Sequence, residues 1–170
     1  MKVADLVAEF LSKHVKHVFC ISGGASLHLI HAIARRHDLT YICPQNEQSA
    51  SFAADAYARL TGFGCALATS GPGAASLVTG IETSYYDSIP ILYLTGNQTR
   101  ERLQTFGTRQ YGFQATPITE IVRPITKHAV TVMMSTMVLE YLERAVAIAK
   151  HGRPGPVLVD IPDDVQRATI

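Results

Sequence analysis

Glu47 is the side chain through which this sequence could do acid–base chemistry. It stands between Asn46 and Gln48, directly after the apolar run Leu39–Cys43 and at the head of the small-residue segment Ser49–Tyr57. A second strand-like segment, Gly64–Ser70, runs into Gly71-Pro72-Gly73. This order puts one carboxylate and one glycine–proline loop at neighbouring strand ends, where open α/β sheets bind their ligands. A carboxylate there, once covered by a partner subunit, is partly desolvated and exchanges a proton strongly with a bound ring nitrogen. Capping competes with that reading, because an acid in the first turn after an Asn cap complements the helix dipole with no ligand at all. The segment behind Glu47 shifts the balance: Ala50, Ser51, Ala53, Ala54, Ala56 and Ala58 leave so little bulk that another element can approach closely.

The other chemistry-bearing residues are weaker candidates. Gly71-Pro72-Gly73-Ala74-Ala75-Ser76 follows a strand and opens a helix, as a dinucleotide loop does. Pro72, however, has no N–H for a pyrophosphate, and the next strand, Ile91–Thr95, ends in Gly96-Asn97 where an acidic ribose ligand is wanted. A proline between glycines instead makes a stiff loop of bare backbone, able to lie flat against a planar ring; a plain strand–helix turn is the alternative. Ser70 is no nucleophile elbow, since Ala68 and Pro72 occupy the positions where glycines are required. His28 and His31 share a helix face without an evident third ligand, so no metal site is expected and a solvated face is the better account. Cys20, Cys43 and Cys65 are odd in number, form no Cys-x-x-Cys pair, and read as reduced core thiols.

These residues need a scaffold, and apolar runs alternating with helical patterns supply one: a parallel sheet with helices on both faces. Helix Val3–Lys13 leads to strand His17–Ser22, Gly23-Gly24 and helix Ser26–Arg36. Strand Leu39–Cys43 feeds helix Asn46–Thr61, strand Gly64–Ser70 feeds helix Ala74–Tyr86, and Pro90–Thr95 is continuously apolar, as a strand buried on both faces must be. The polar stretch Gly96–Thr116 lacks a period, and a connection that long inside one domain is usually functional. A short helix Pro117–Val122, strand His128–Val132, helix Met137–Lys150 with Glu140, Glu143, Arg144 and Lys150 on its wet side, and strand Pro156–Ile161 complete the pattern.

Composition narrows the partners. The 170 residues fit one domain, and 47% hydrophobic with 17% charged residues is ordinary for a soluble fold. A formal charge of +1 gives no field that would draw the chain to nucleic acid or an anionic membrane. Asp5 and Glu9 interrupt the first apolar stretch, so it is an amphipathic helix rather than a signal segment, and a cytoplasmic location is expected.

Taken together, several blocks resemble the N-terminal pyrimidine-binding domain of thiamine diphosphate enzymes, in particular acetolactate synthase-like members. The carriers are Gly23-Gly24-Ala25, Glu47-Gln48, Ala56-Tyr57-Ala58-Arg59, Ala68-Thr69-Ser70-Gly71-Pro72-Gly73, Asp87-Ser88-Ile89-Pro90, Thr95-Gly96, Phe113-Gln114, Ile125-Thr126-Lys127 and Gly152-Arg153-Pro154-Gly155-Pro156-Val157. The family's histidine before the glutamate is Asn46 here, its proline before the Gly-Gly pair is Ser22, and its Thr-Asn after the glycine–proline loop is Ala75-Ser76. Around Arg109-Gln110-Tyr111-Gly112 the chain is similar to relatives of uncertain substrate, and Gly107–Gln114 exceeds the usual acetolactate synthase loop.

The resemblance implies a three-layer α/β/α sandwich over residues 1–170, with a six-stranded parallel sheet in the order 2-1-3-4-6-5. It implies that Glu47 hydrogen-bonds the aminopyrimidine N1′ of thiamine diphosphate and so promotes deprotonation of the thiazolium carbon that attacks a small 2-keto acid. Ser70, Gly71, Pro72 and Gly73 would lie along the pyrimidine, Ser22 and Gly23 would line the same pocket, Ser76 would belong to the cofactor-binding set, and Gln114 would face the substrate. It further implies a homodimer through the Glu47 helix. Mg²⁺ and the diphosphate would be held by a separate domain or subunit whose Gly-Asp-Gly motif does not occur here, so the isolated chain should be inactive, whether an excised domain or one subunit of a split enzyme. FAD is possible in the complete enzyme but no residue here points to it. A non-catalytic dimerisation or regulatory module is the competing reading.

Overall fold

Six short segments hydrogen-bond side by side as one all-parallel sheet in the computed structural model, which describes residues 1–103, 109 and 112–170. The strands are β1 (His17–Cys20), β2 (Thr40–Ile42), β3 (Gly64–Ala68), β4 (Ile91–Asn97), β5 (His128–Thr131) and β6 (Val157–Pro162), in the spatial order β2-β1-β3-β4-β6-β5. Every residue of β3, β4 and β6 is buried, as expected for strands covered on both faces. Registers such as Phe19↔Ala66, Leu67↔Leu94 and Leu94↔Val159 fix which side chains share a face.

Alternate strand residues feed two cores. Val18, Cys20, Leu67, Leu94 and Val159 face α1 (Val3–Ser12), α2 (Leu27–Ala34), α8 (Val138–Lys150) and α9 (Asp163–Arg167). Phe19, Ala66, Ala68, Tyr93 and Leu158 face α3 (Glu47–Thr61), α4 (Pro72–Ser76), α5 (Val78–Tyr86) and α7 (Ile118–Val122). The result is the expected three-layer sandwich and the expected strand order.

Helix α3 sits unusually close to its neighbours. Asn46 caps its start by accepting a hydrogen bond from the Ser49 amide at 2.8 Å, and Gly62, at φ 86°, ends it. A Cβ at Gly80 of α5 would stand 1.9 Å from Ser51 Oγ, and one at Gly64 would stand 2.4 Å from the Ala54 carbonyl oxygen, so bare backbone is what lets α3 seat. In the middle of the helix the buried Asp55 accepts hydrogen bonds from Arg59 Nε at 2.6 Å and Ser84 Oγ at 2.9 Å, and Tyr93 OH lies 3.0 Å from that hydroxyl. Burial pushes the Tyr93 phenol well above its ordinary value, so it is a neutral hydrogen-bonding group.

Several expectations change in detail. Helix Ala74–Tyr86 is two helices, because the Leu77 amide bonds the Ala74 carbonyl three residues back and tightens the turn between α4 and α5. Gly96 and Asn97 extend β4, and Arg100–Leu103 forms one further turn, α6. Helix α9 was not anticipated, although Pro162 followed by Asp163 and Asp164 with Arg167 four residues on is a helix-start pattern. Cys43 is exposed rather than a core thiol: β2 is an edge strand and its residues face outward. Cys20 and Cys65 are buried, and burial, with Cys43 adjoining, pushes the Cys20 thiol up to about 12, an unreactive group. Most of the loop around Arg109-Gln110-Tyr111 lies outside the described residues.

Gly80→Ala should lower the unfolding free energy by about 2 kcal/mol through overpacking against Ser51. A urea midpoint unchanged from wild type would show that α3 and α5 have more room than their backbones suggest.

Candidate functional site

From β1 the chain turns through α2 to β2 on one side, and from β2 it crosses through α3 over β1 to reach β3 on the other. The winding of the chain therefore reverses between the parallel strands β1 and β3, and a crevice opens beyond their carboxyl ends. Glu47 and the Gly71–Gly73 loop do not come from adjacent strands, as the sequence had suggested, because β1 lies between β2 and β3. The crossover helix brings them together instead: a Cβ at Gly73 would stand 3.1 Å from Glu47 Oε1 and 2.8 Å from Thr69 Cγ2.

Two more backbone approaches close the crevice. A Cβ at Gly23 would stand 2.5 Å from Thr69 Cβ, so the loop after β1 rests on the end of β3. Gly71 has φ 63° and ψ −129°, a conformation open to glycine, and its Cβ would meet the Gln114 carbonyl oxygen at 2.7 Å. Gln114 itself has φ 54°. A non-glycine residue held there is locally strained, a feature that clusters at binding sites.

Between these segments lies a polar cavity of about 580 Å³, of a size that suits a small-molecule ligand. Gly23, Gly24, Thr69, Ser70 and Gln114 line it, as do Gln98 and Thr99 after β4, Glu101 and Arg102 of α6, and Asp163 and Arg167 of α9. Glu47, Pro72 and Gly73 are outside that lining, on the α3 side of the loop. Ser22 is exposed at the rim. Ser76 is turned to its own helix, its hydroxyl donating to the Pro72 carbonyl at 2.8 Å. Glu47 is half-buried and has no hydrogen-bond or ion-pair partner among the described residues.

The acidic and basic groups of the rim are largely paired. Arg167 reaches Asp163 at 2.8 Å, with His28 3.6 Å from the same carboxylate. Arg100 donates to Asp164 at 2.7 Å and to the Met133 carbonyl at 2.9 Å. Burial raises the Asp164 carboxyl, but the hydrogen bonds and charge of Arg100 outweigh it and hold the group below its ordinary value. Sequence reading missed this acid–arginine rim because α9 was not foreseen.

A second buried polar group ties the strand ends. Asp160 of β6 accepts hydrogen bonds from Thr95 Oγ1 at 2.7 Å, Asn97 Nδ2 at 2.8 Å and Thr131 Oγ1 at 3.2 Å. Asn97 Nδ2 also donates to the Thr116 carbonyl at 3.2 Å, anchoring the segment that carries Gln114. Burial pushes the Asp160 carboxyl up to about 6 against the opposing pull of its three donors. Among the described residues no three His, Cys, Asp or Glu side chains are gathered for a metal ion.

Fold and crevice define a doubly wound cofactor-binding domain with the Glu47 carboxylate set beside a glycine-rich loop. The chain belongs to the family described as thiamine pyrophosphate enzyme, N-terminal TPP binding domain, whose model matches residues 1–121. It is 41% identical over 171 residues to acetolactate synthase 2, chloroplastic, of Nicotiana tabacum, covering 99% of this chain and 25% of that protein. It is 42% identical to the chloroplastic acetolactate synthase of Arabidopsis thaliana over 98% of this chain and 24% of the relative, and 40% identical to acetolactate synthase 2 of Zea mays over 98% and 26%. The chain thus spans about a quarter of the length of the curated relatives it matches.

Because the Asp160 value is raised in the folded state, folding favours its protonated form. Stability from this group is fully present below about pH 4 and is lost as pH rises through about 6. The unfolding free energy of Asp160→Asn should lack this decline, which amounts to about 3 kcal/mol in wild type. Parallel pH–stability curves for the two proteins would show that Asp160 ionises in the folded state as it does in the unfolded chain.

Proposed function

We propose that this chain supplies the pyrimidine-binding part of a thiamine diphosphate-dependent, acetolactate synthase-like enzyme acting on small 2-keto acids, with Glu47 as its proton-relay carboxylate. The observation that carries the reading is the Glu47 carboxylate: half-buried, without a partner among the described residues, and packed where Gly73 has no side chain. Asn46 already accepts the Ser49 amide, so α3 has its N-cap without Glu47.

The residues present suit the cofactor's aminopyrimidine. Bare backbone at Gly71 and Gly73 lets Gln114, Thr69 and Glu47 close in on the loop, and Pro72 stiffens it. Glu47 would hold the ring nitrogen N1′, Ser70 to Gly73 would lie along the ring, and Ser22 and Gly23 would bound it from β1. Ser76, already engaged by Pro72, contributes through the position of α4. Thiamine diphosphate, when bound, supplies the carbanion-stabilising centre at which a 2-keto acid loses CO₂. Glu47 would share a proton with N1′ and hold it there, and Gln114, displayed over Gly71, would meet the substrate. Mg²⁺ and the diphosphate are assigned to a separate domain or subunit.

Pairing of two copies through α3 would complete the site. Phe52, Ala56 and Leu60 form an exposed stripe at helical spacing along α3, and Leu60 is 87% exposed. A second copy covering this stripe would also remove water from Glu47, strengthening its hydrogen bond to the ring.

In the chain assembled with a diphosphate-binding domain, Glu47→Gln should lower kcat by about a hundredfold or more while cofactor affinity changes little. Full activity in this variant would remove Glu47 from the mechanism. An assembled wild-type protein that shows no saturable binding of thiamine diphosphate with Mg²⁺ would leave the domain as a non-catalytic interaction module.

A further inference from the structure

The loop after β1 bounds the crevice, yet few of its own side chains can hold it in place. Gly23 and Gly24 have none, Ser22 is exposed, and within the loop the Ser26 amide and hydroxyl bond the Gly23 carbonyl at 3.0 and 3.1 Å. The restraint comes from two distant elements. Gln166 of α9 is fully buried, and its Nε2 donates to the Ala25 carbonyl and to the Ile161 carbonyl, both at 2.7 Å. Below the same peptide, β4 presents Gly96, where a Cβ would stand 2.0 Å from the Ala25 carbonyl oxygen.

We propose that Gln166 is a positioning residue for the cofactor crevice: with Gly96 beneath the peptide, it clamps the Ala25 carbonyl and so fixes how Gly23 and Gly24 face Thr69 and Ser70. The inference rests on the function proposed above and extends it to a residue remote in sequence. Both donor hydrogens of the Gln166 amide are committed, to a strand end and to the loop. A buried amide that joins two carbonyls otherwise lacking that donor is costly to remove, and the loss falls on the loop rather than on the well-packed β6. The Gln166 carbonyl oxygen is itself buried without a partner among the described residues. Packing alone would be served equally by an apolar side chain of the same length, so the amide's burial with one unmet acceptor indicates that its two hydrogen bonds are what the position requires.

Two substitutions on different elements disturb the same peptide. Gln166→Met keeps the length of the side chain and removes both donors. Gly96→Ala leaves Gln166 intact and drives the Ala25 carbonyl away. In the 170-residue chain without cofactor, amide hydrogen exchange at Ser26 should quicken about tenfold or more in each variant, while the amides of β3 and β6 stay protected. In the protein assembled with its diphosphate-binding domain, the half-saturation for thiamine diphosphate should rise by about tenfold to a hundredfold, because a misplaced crevice wall costs affinity and orientation.

Glu47→Gln, measured alongside, separates the two ideas. Loss of kcat in Glu47→Gln together with unchanged Ser26 exchange and unchanged cofactor half-saturation in the other two variants overturns the role of Gln166 and leaves the proposed function standing. Full activity in Glu47→Gln, with the loop amide still loosened by Gln166→Met, overturns the function and leaves the clamp. A purely structural role for Gln166 would quicken exchange across β3 and β6 as much as at Ser26 and would be overturning as well. If Gln166→Met fails to fold, Gly96→Ala at reduced temperature gives the same readings.

Discussion

Backbone approaching backbone without an intervening Cβ is the constraint on which this molecule depends. Gly64 and Gly80 admit α3 against β3 and α5, Gly23 admits the loop after β1 against Thr69, Gly71 admits the Gln114 carbonyl, Gly73 admits the Glu47 carboxylate, and Gly96 admits the Ala25 carbonyl. Four of these six approaches converge at the carboxyl ends of β1, β3 and β4. A sheet can bring strand ends within reach, but loops leaving adjacent strands meet closely only if side chains stay out of the gap. The crevice is thus defined more by what the glycines omit than by side chains that point into it.

Two buried carboxylates then set the angles. Asp55 links α3 to α5 and β4 through Ser84 and Tyr93, which fixes the axis of the helix whose first residue is Glu47. Asp160 links β6 to β4 and β5 and, through Asn97, to Thr116. Both groups are satisfied by several donors, which is the condition under which a buried carboxylate is tolerated. One network orients the carboxylate side of the crevice and the other anchors the segment bearing Gln114. The Asp160 network meets the cavity wall through Asn97, which accepts a hydrogen bond from the Gln98 amide at 2.9 Å, so the site takes its shape in part from hydrogen bonds lying one layer beneath it.

Most of the architecture was legible in the sequence because parallel strands buried on both faces read as continuous apolar runs. Ile91 to Leu94 and Val157 to Val159 could hardly be anything else. Strand order was not legible from periodicity and came from family resemblance, which the pairing of β1 with both β2 and β3 upholds. Reading Glu47 and the glycine–proline loop as products of adjacent strands missed the crossover, since sequence order says nothing about which strand lies between. Cys43 was misread for a related reason: an apolar run does not reveal that its strand lies at a sheet edge. Helix α9 escaped because five residues after a proline give little period, although its two leading acids marked a helix start. With it went Asp163, Arg167 and Gln166, whose spatial neighbours lie up to 141 positions away.

The decisive question at Glu47 is whether a helix start alone explains it. The N-terminal dipole of α3 is complemented by any acid in the first turn, for about 0.3–1 kcal/mol, and that gain needs no particular neighbour. It explains neither the partial burial nor the facing glycine. Asn46 takes the Ser49 amide, so α3 has its side-chain cap without Glu47. A carboxylate that contributes only to the dipole would keep its hydration by turning outward, and Gly73 could then carry a side chain. Glu47 instead lies against Gly73 with its oxygen 3.1 Å from the missing Cβ, giving up part of its hydration without gaining a partner among the described residues. Local stability gives no reason for that arrangement; the proposed ring nitrogen, sharing a proton over the glycine–proline loop, would supply one.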